Sequence, residues 1–239
     1  MLTSWPALSV AFDGDWVIRL ADGVTKRSNS VTCLAADDAE LNRRIDGVEA
    51  IYREHGQPAI FRLSPLASPA LDDRLDRRRW RRFDETIVMA CDDADLGDRT
   101  DQPDADEVVI VTRPNRTWLE GCYRIDGSDS THLATLETML DRLVPKAGYA
   151  SIGNGETFDA LALIVVDAEL AGLFEVLTVE EKRQQGLAQK LLGQLFTWSR
   201  QQGATTAWLA VVAENLPAVR LYEKLGFREV YRYHYRSNG

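Results

Sequence analysis

The chain has 239 residues, 45% of them hydrophobic, and a formal net charge of -9 at pH 7; that length supports one large core or two small ones. The acidic balance argues against nucleic acid as a main partner, because phosphate binding needs clustered Lys and Arg, and it is compatible with a cationic amine substrate. No run of eighteen apolar residues and no charged-then-apolar leader occurs, so a soluble, cytoplasmic protein without a membrane partner is expected.

In chain order, residues 38–55 place Leu41, Ile45, Val48 and Tyr52 on one helical face, and Gly56 follows. Ala59 to Leu63 reads as a strand. Pro69-Ala70-Leu71 opens a second helix that ends near Trp80, and Thr86 to Met89 reads as another strand. Arg77 to Arg82, with Trp80 inside it, is the one basic run. It is read as a solvated helix end, since no second basic aromatic segment accompanies it. From Cys91 to Asp104 the chain is acidic, contains Gly97 and Pro103 and lacks periodicity, which predicts an exposed connection. The expected division is therefore 1–91, a linker at 92–104, and 105–239.

The second part opens with a strand at 107–112. Helices follow over 117–124 and 130–144, the latter with Leu133, Leu136, Leu140 and Leu143 inward. Strands come next at 148–153, 160–166 and 173–179. Then Arg183-Gln184-Gln185-Gly186-Leu187-Ala188 leads into a helix with Leu187, Leu191 and Leu195 every four residues and Leu192 and Phe196 beside them. A glycine turn at a helix start exposes unpaired N–H groups where the helix dipole is positive, so a phosphate or pyrophosphate is the expected ligand. Gly203 ends that helix, and 205–212 reads as a buried strand. Asn215 caps a helix whose apolar face is Ala218, Leu221, Tyr222 and Leu225, stopped by Gly226 before a strand at 229–235. Cys33, Cys91 and Cys122 lie far apart, and His55, His132 and His234 form no cluster. Buried thiols are expected, and no metal site.

The order helix, Gly, strand, Pro-opened helix, aromatic, strand occurs twice. Gly56 and Gly203 are 147 residues apart, and so are Trp80 and Phe227. A degenerate internal duplication is the reading. At that offset Gly186 corresponds to Ala39, Ala188 to Leu41 and Tyr222 to Leu75. The stretch Ala36-Asp37-Asp38-Ala39-Glu40 has no glycine and three carboxylates, so the first half is expected to lack a phosphate site.

The R/Q-x-x-G-x-G/A loop at 183–188, Asn215 and the Y-x-K-x-G-F end at 222–227 together resemble the GNAT superfamily of acyl-CoA-dependent N-acetyltransferases, over about residues 104–239. Ala188 stands where Gly is commoner, and Gln184 and Gln185 stand where basic residues are frequent. The resemblance implies an α+β mixed sheet with splayed central strands, preceded by a partial GNAT-like domain. It implies acetyl-CoA as cofactor, coenzyme A as product, and the primary amine of a small molecule or peptide as acceptor. Backbone groups of Val176, Leu177 and Thr178 would pair with the pantetheine arm. The N–H groups around Arg183, Gln184, Gln185, Gly186, Leu187, Ala188 and Gln189 would cradle the pyrophosphate. Asn215 would contact the pantetheine or order the splay, and Tyr222 would be the general acid.

Each role has a structural alternative. Tyr222 lies on an apolar helix face and is also read as a core aromatic; Asn215 is also a plain N-cap. Glu175, out of phase with Val176, is read as facing the acceptor, as base or as a contact for a cationic substrate. Relatives that acetylate ribosomal-protein N-termini place a Glu in the strand before the Asn; here that position is Ala210. The enzyme reading therefore stands beside a second one, a non-catalytic acyl-CoA-binding regulatory or interaction module.

Overall fold

The computed structural model describes residues 2–92, 108–127 and 130–239. Among these, eleven strands form a sheet: β1 (Ser9–Asp13), β2 (Trp16–Leu20), β3 (Val31–Cys33), β4 (Ile60–Leu63), β5 (Arg81–Asp92), β6 (Val108–Val111), β7 (Lys146–Gly153), β8 (Phe158–Asp167), β9 (Leu170–Thr178), β10 (Thr206–Val212) and β11 (Arg228–Ser237). The helices are α1 (Leu41–Glu54), α2 (Pro69–Arg77), α3 (Arg116–Asp126), α4 (Leu133–Asp141), α5 (Leu187–Gln201) and α6 (Leu216–Lys224). The expected α+β architecture is adopted, with helices between strands of a mixed sheet.

The sheet order is β1-β2-β3-β4-β11-β5-β10-β9-β8-β7-β6, so the last strands of the two halves are exchanged. β5 leaves the first half to pair with β10, and β11 leaves the second half to pair with β4, both antiparallel. β5 and β11 also pair with each other. Their register carries the internal repeat: Arg228 faces Ala90 and Ser237 faces Arg81, the same pair moved by 147 residues on each strand. At the helix starts the repeat is one residue shorter. Both helices begin after a left-handed residue, Glu40 (φ 50°) before α1 and Gly186 (φ 80°) before α5. The structural counterpart of Gly186 is thus Glu40, not Ala39, because α5 is one residue longer than α1.

Alternation explains the layers. Along β8, Ala160, Ala162, Ile164 and Val166 face α5, whereas Leu161, Leu163 and Val165 face α3 and α4. Both faces of this strand are covered, which is why it reads as a continuous apolar run. From β5, Ile87, Met89 and Cys91 enter the α5 core and Val88 points the other way, to Tyr233 and Tyr235. The first half has its own core of Trp16, Ile45, Tyr52, Phe61, Leu75 and Trp80 among others. β11 adds a buried cation to it: Arg236 donates to Asp72 (2.8 Å), Asp76 (2.7 Å) and the Trp80 carbonyl (3.0 Å).

Several expectations change. β1, β2 and β3 carried no sequence signal, and β5 runs over twelve residues where only 86–89 stood out. The helix expected over 130–144 is a 3-10 turn (Ser130–His132) followed by α4, which leaves Leu143 outside it. The stretch 93–107, which holds almost all of the expected linker, lies outside the described residues. The basic run is absorbed locally: Trp80 is core, Arg78 meets Asp46 and Glu49, and Arg82 meets Glu85. All three cysteines are buried, and burial pushes the Cys33 thiol up to about 12.

Because β10 and β4 each take a partner from the other half, the halves should unfold together. Calorimetry should give one transition, and residues 105–239 alone should fail to form a folded monomer. Two separated transitions, or a stable fragment, would show that the exchange is dispensable.

Candidate functional site

The centre of the sheet opens where β9 and β10 part. They pair in parallel only at Leu170–Gly172 with Thr206–Trp208. Beyond that point β10 remains bound to β5 through Val212, while β9 continues along β8 to Thr178. Residues 173–178 of β9 therefore carry backbone groups with no partner on the β10 side. Val176, Leu177 and Thr178 lie along this edge and are half-buried. The opening is set at its base by Trp208. A Cβ added at Gly172 would sit 2.6 Å from the indole, so only glycine lets the ring lie there. Trp208 in turn meets Phe174 edge-on at 5.6 Å.

Beside the open end lies the turn before α5. Gln184 has φ 62° and Gly186 φ 80°, and no side chain caps the helix. Nothing stands within 4 Å of a Cβ built on Gly186. The first N–H groups of α5, from Leu187 through Gln189, have no intrahelical acceptor, since the ladder begins with Lys190 N–H to Gly186 O at 3.0 Å. Arg183 and Gln185 fold back on the turn, donating to the carbonyls of Thr178 (3.4 Å) and Glu181 (3.1 Å). Ala188 is half-buried at the helix start. The result is an exposed concavity of amides with open space above it. The matching start of α1 differs: the Asp37 carboxylate accepts from the Ala39 amide at 2.9 Å and reaches Arg44 at 3.5 Å.

Glu175 stands at a bulge in β9. Its φ is 46°, and the register slips there, with Phe174 opposite Leu163 but Leu177 opposite Leu161. It lines a cavity of about 110 Å³ with Trp5, Thr25, Cys122, Tyr123 and Asp126. Burial raises the Glu175 carboxyl above the usual range, the Arg27 charge opposes this, and Asp126 adds to it. Tyr222 is buried among the α5 and α6 core residues and meets Phe227 at 5.9 Å. Burial pushes its hydroxyl up to about 12, again opposed by Arg27, so it stays a proton donor at neutral pH. Asn215 caps α6, accepting from the Ala218 amide at 3.3 Å, and its own surface is exposed. Ala210 packs beside the Tyr231, Tyr233 and Tyr235 cluster, with no carboxylate at that position.

Sequence reasoning missed what the first half contributes. Trp5 stacks on Phe174 at 5.1 Å, and the Arg27 guanidinium lies over the same ring at 5.6 Å. The two are tied together by Arg19, which donates to the carbonyls of Trp5 and Arg27. No signal in residues 1–37 marks them, because they sit in loops with no periodicity.

The comparisons agree with this geometry. A family model described as "Probable histone acetyltransferase Rv0428c C-terminal" matches residues 1–236. The chain is 29% identical over 233 residues to the uncharacterized N-acetyltransferase YobR of Bacillus subtilis, covering 98% of this chain and 94% of the relative. Among solved structures, a GCN5-related N-acetyltransferase from Kribbella flavida superposes with a TM-score of 0.69 at 19% identity, over 98% of this chain and 90% of its own. A tandem GNAT protein from the clavulanic acid biosynthesis pathway gives 0.68 at 13% identity, over 98% and 84%. These last two likenesses concern the fold.

Gly172→Ala should overpack the base of the opening against Trp208. It should cost about 1–3 kcal/mol in urea denaturation. A variant of unchanged stability would show that Trp208 can yield and that the glycine does not set the parting.

Proposed function

The chain belongs to the acetyltransferase family whose model spans it, within the GNAT superfamily of N-acetyltransferases, and we propose that it moves an acetyl group from acetyl-CoA to the primary amine of a small molecule or peptide. The observation that carries this reading is the parted edge of β9 running up to an uncapped helix start at Gly186. A strand-like pantetheine arm fits the first, and a pyrophosphate fits the second. Acetyl-CoA would supply an activated acyl carbon on a thiol leaving group.

The residues then take the following roles. Backbone groups of Val176, Leu177 and Thr178 hold the arm. The amides from Gln184 to Gln189 hold the pyrophosphate, with the glutamines adding no charge, so the backbone supplies most of that binding. Asn215 fixes the start of α6 and with it Tyr222. During transfer a C–N bond forms at the acceptor and the C–S bond breaks. The amine loses one proton and the sulfur gains one. The Glu175 carboxylate, made more basic by burial, takes the amine proton, directly or through water. Tyr222 Oη, which stays protonated at neutral pH, supplies the proton to the sulfur. The first half takes no part as a second centre. Asp37, bonded to the Ala39 amide, places a carboxylate just before its helix, and Leu75, in the place of Tyr222, is fully buried.

Two measurements test this. Calorimetry should find one acetyl-CoA per chain, and Gly186→Glu should abolish binding while circular dichroism stays native. Two equivalent sites, or unchanged affinity, would overturn the assignment. Thioester cleavage against an amine panel should reveal turnover, and Tyr222→Phe should lower kcat by roughly a hundred- to ten-thousand-fold with acetyl-CoA affinity retained. Cofactor binding without turnover on any amine would return the chain to the reading of a non-catalytic acyl-CoA-binding module.

A further inference from the structure

The proposed cleft has a floor that the first half builds. Phe174 and Trp208 point to the side of the sheet away from α5, the side lined by Tyr233, Tyr235, Val88 and Ala210. On that side the loop between β2 and β3 reaches across from the first half. Lys26 pairs with Asp84 and lies 5.7 Å from the Phe83 ring, and Phe83 stacks on Tyr235 at 5.6 Å. The next residue, Arg27, lies over Phe174, the neighbour of Glu175. Its backbone is fixed by Arg19, itself fully buried.

Arg27 is set apart by how it is held. Its guanidinium rests on an aromatic ring, and among the described residues no carboxylate comes within the 4.0 Å of an ion pair, Glu175 included. Yet its charge bears on Glu175 from β9, the residue next to the ring it covers, and also on Tyr222 from α6 and Tyr235 from β11. A guanidinium offers five donors in a planar fork that matches a carboxylate. A ring face satisfies the cation's charge in part but accepts none of those in-plane donors. A half-buried fork resting on the Phe174 ring thus keeps donors for an incoming oxyanion. Beside it Glu175 offers an acceptor for an amine. One acid and one base on one floor, not paired with each other, are complementary to a molecule that carries both an amine and a carboxylate.

We propose that Arg27, from the degenerate half, is a specificity-determining residue of the acceptor site, and that the acceptor is an amine bearing a free carboxylate, of the amino-acid class. This rests on the transferase reading above and narrows it. The carboxylate docks on the Arg27 fork, which directs the nitrogen toward Glu175.

The test compares amino acids with their carboxamides, which keep the amine and lose the negative charge. Wild type should favour the carboxylate form in kcat/KM by roughly ten- to hundredfold, the size of one charged hydrogen-bonded contact. Arg27→Gln should collapse that ratio to near unity, and Arg27→Lys should restore part of it. Melting temperature and acetyl-CoA affinity, measured in parallel, separate a lost contact from a lost fold. The same pairs are titrated by calorimetry into the protein saturated with coenzyme A, so the inference is judged even without turnover. A wild-type preference for the amide, equal binding of the two forms, or an unchanged ratio in Arg27→Gln would overturn the role of Arg27. Turnover of carboxamides alone would overturn it while leaving the transferase reading intact. Selective carboxylate binding without any transfer would uphold the site and sink the transferase reading.

Discussion

From Leu209 onward β10 has lost β9 and is held by β5 alone. That one-sided pairing is the constraint on which the proposed cleft depends. Two parallel strands that part leave rows of unmatched backbone groups, and each such group costs free energy unless something replaces the partner. β10 tolerates the loss on one edge because its other edge is paired along all seven residues, from Thr206 with Asp92 to Val212 with Thr86. β9 is likewise anchored along β8. The opening is a gap between two well-held walls, and one wall is braced by a strand from the other half of the chain.

The same arrangement sets the electrostatics. Glu175 and Tyr222 both sit in surroundings that disfavour charge, so each holds its proton more tightly than it would in water. Arg27 is the cation that offsets this for both. It comes from the β2–β3 loop of the first half, which lays it over Phe174. Removing the first half would therefore not merely expose an interface. It would take away the charge that balances two buried titratable groups and the Trp5 ring that supports Phe174.

Legibility followed the range of the interactions. The four-residue spacing of Leu187, Leu191 and Leu195 gave α5, because a helix writes its buried face locally. The cap at Asn215 and the left-handed Gly186 were legible for the same reason. β3 has three residues, and β1 is exposed on both faces, so neither leaves an alternating pattern. The exchange of β5 and β11 left no trace either. The two strands belong to equivalent places in the repeat, and which partner each takes is decided by pairing more than a hundred residues away. Glu175 shows the limit of parity. Alternation was the argument for its direction, but the bulge with φ 46° inserts an extra residue there, so counting by twos does not fix where it points. Trp5 and Arg27 were invisible because an aromatic and a cation in unpatterned loops carry no local sign of what they meet.

A half whose helix start carries Glu40 in the place of Gly186 can still be indispensable, and the physical reason lies in what each exchanged strand buries. β5 brings Ile87, Met89 and Cys91 into the core around α5, where their removal would leave a cavity under the helix that carries the Gly186 turn. β11 returns a different kind of contact. Arg236 holds Asp72 and Asp76 on α2, and those pairings keep the Asp72 carboxyl below its usual range even though burial pushes it up. Burial also lowers His234, which faces the same carboxylate at 3.3 Å. Losing β5 would strip the α5 core of apolar contacts, and losing β11 would leave Asp72 on α2 without the guanidinium it faces. Neither loss depends on whether the first half binds a cofactor. The packing that holds β10 in place and the chemistry proposed at the cleft therefore place separate demands on the first half.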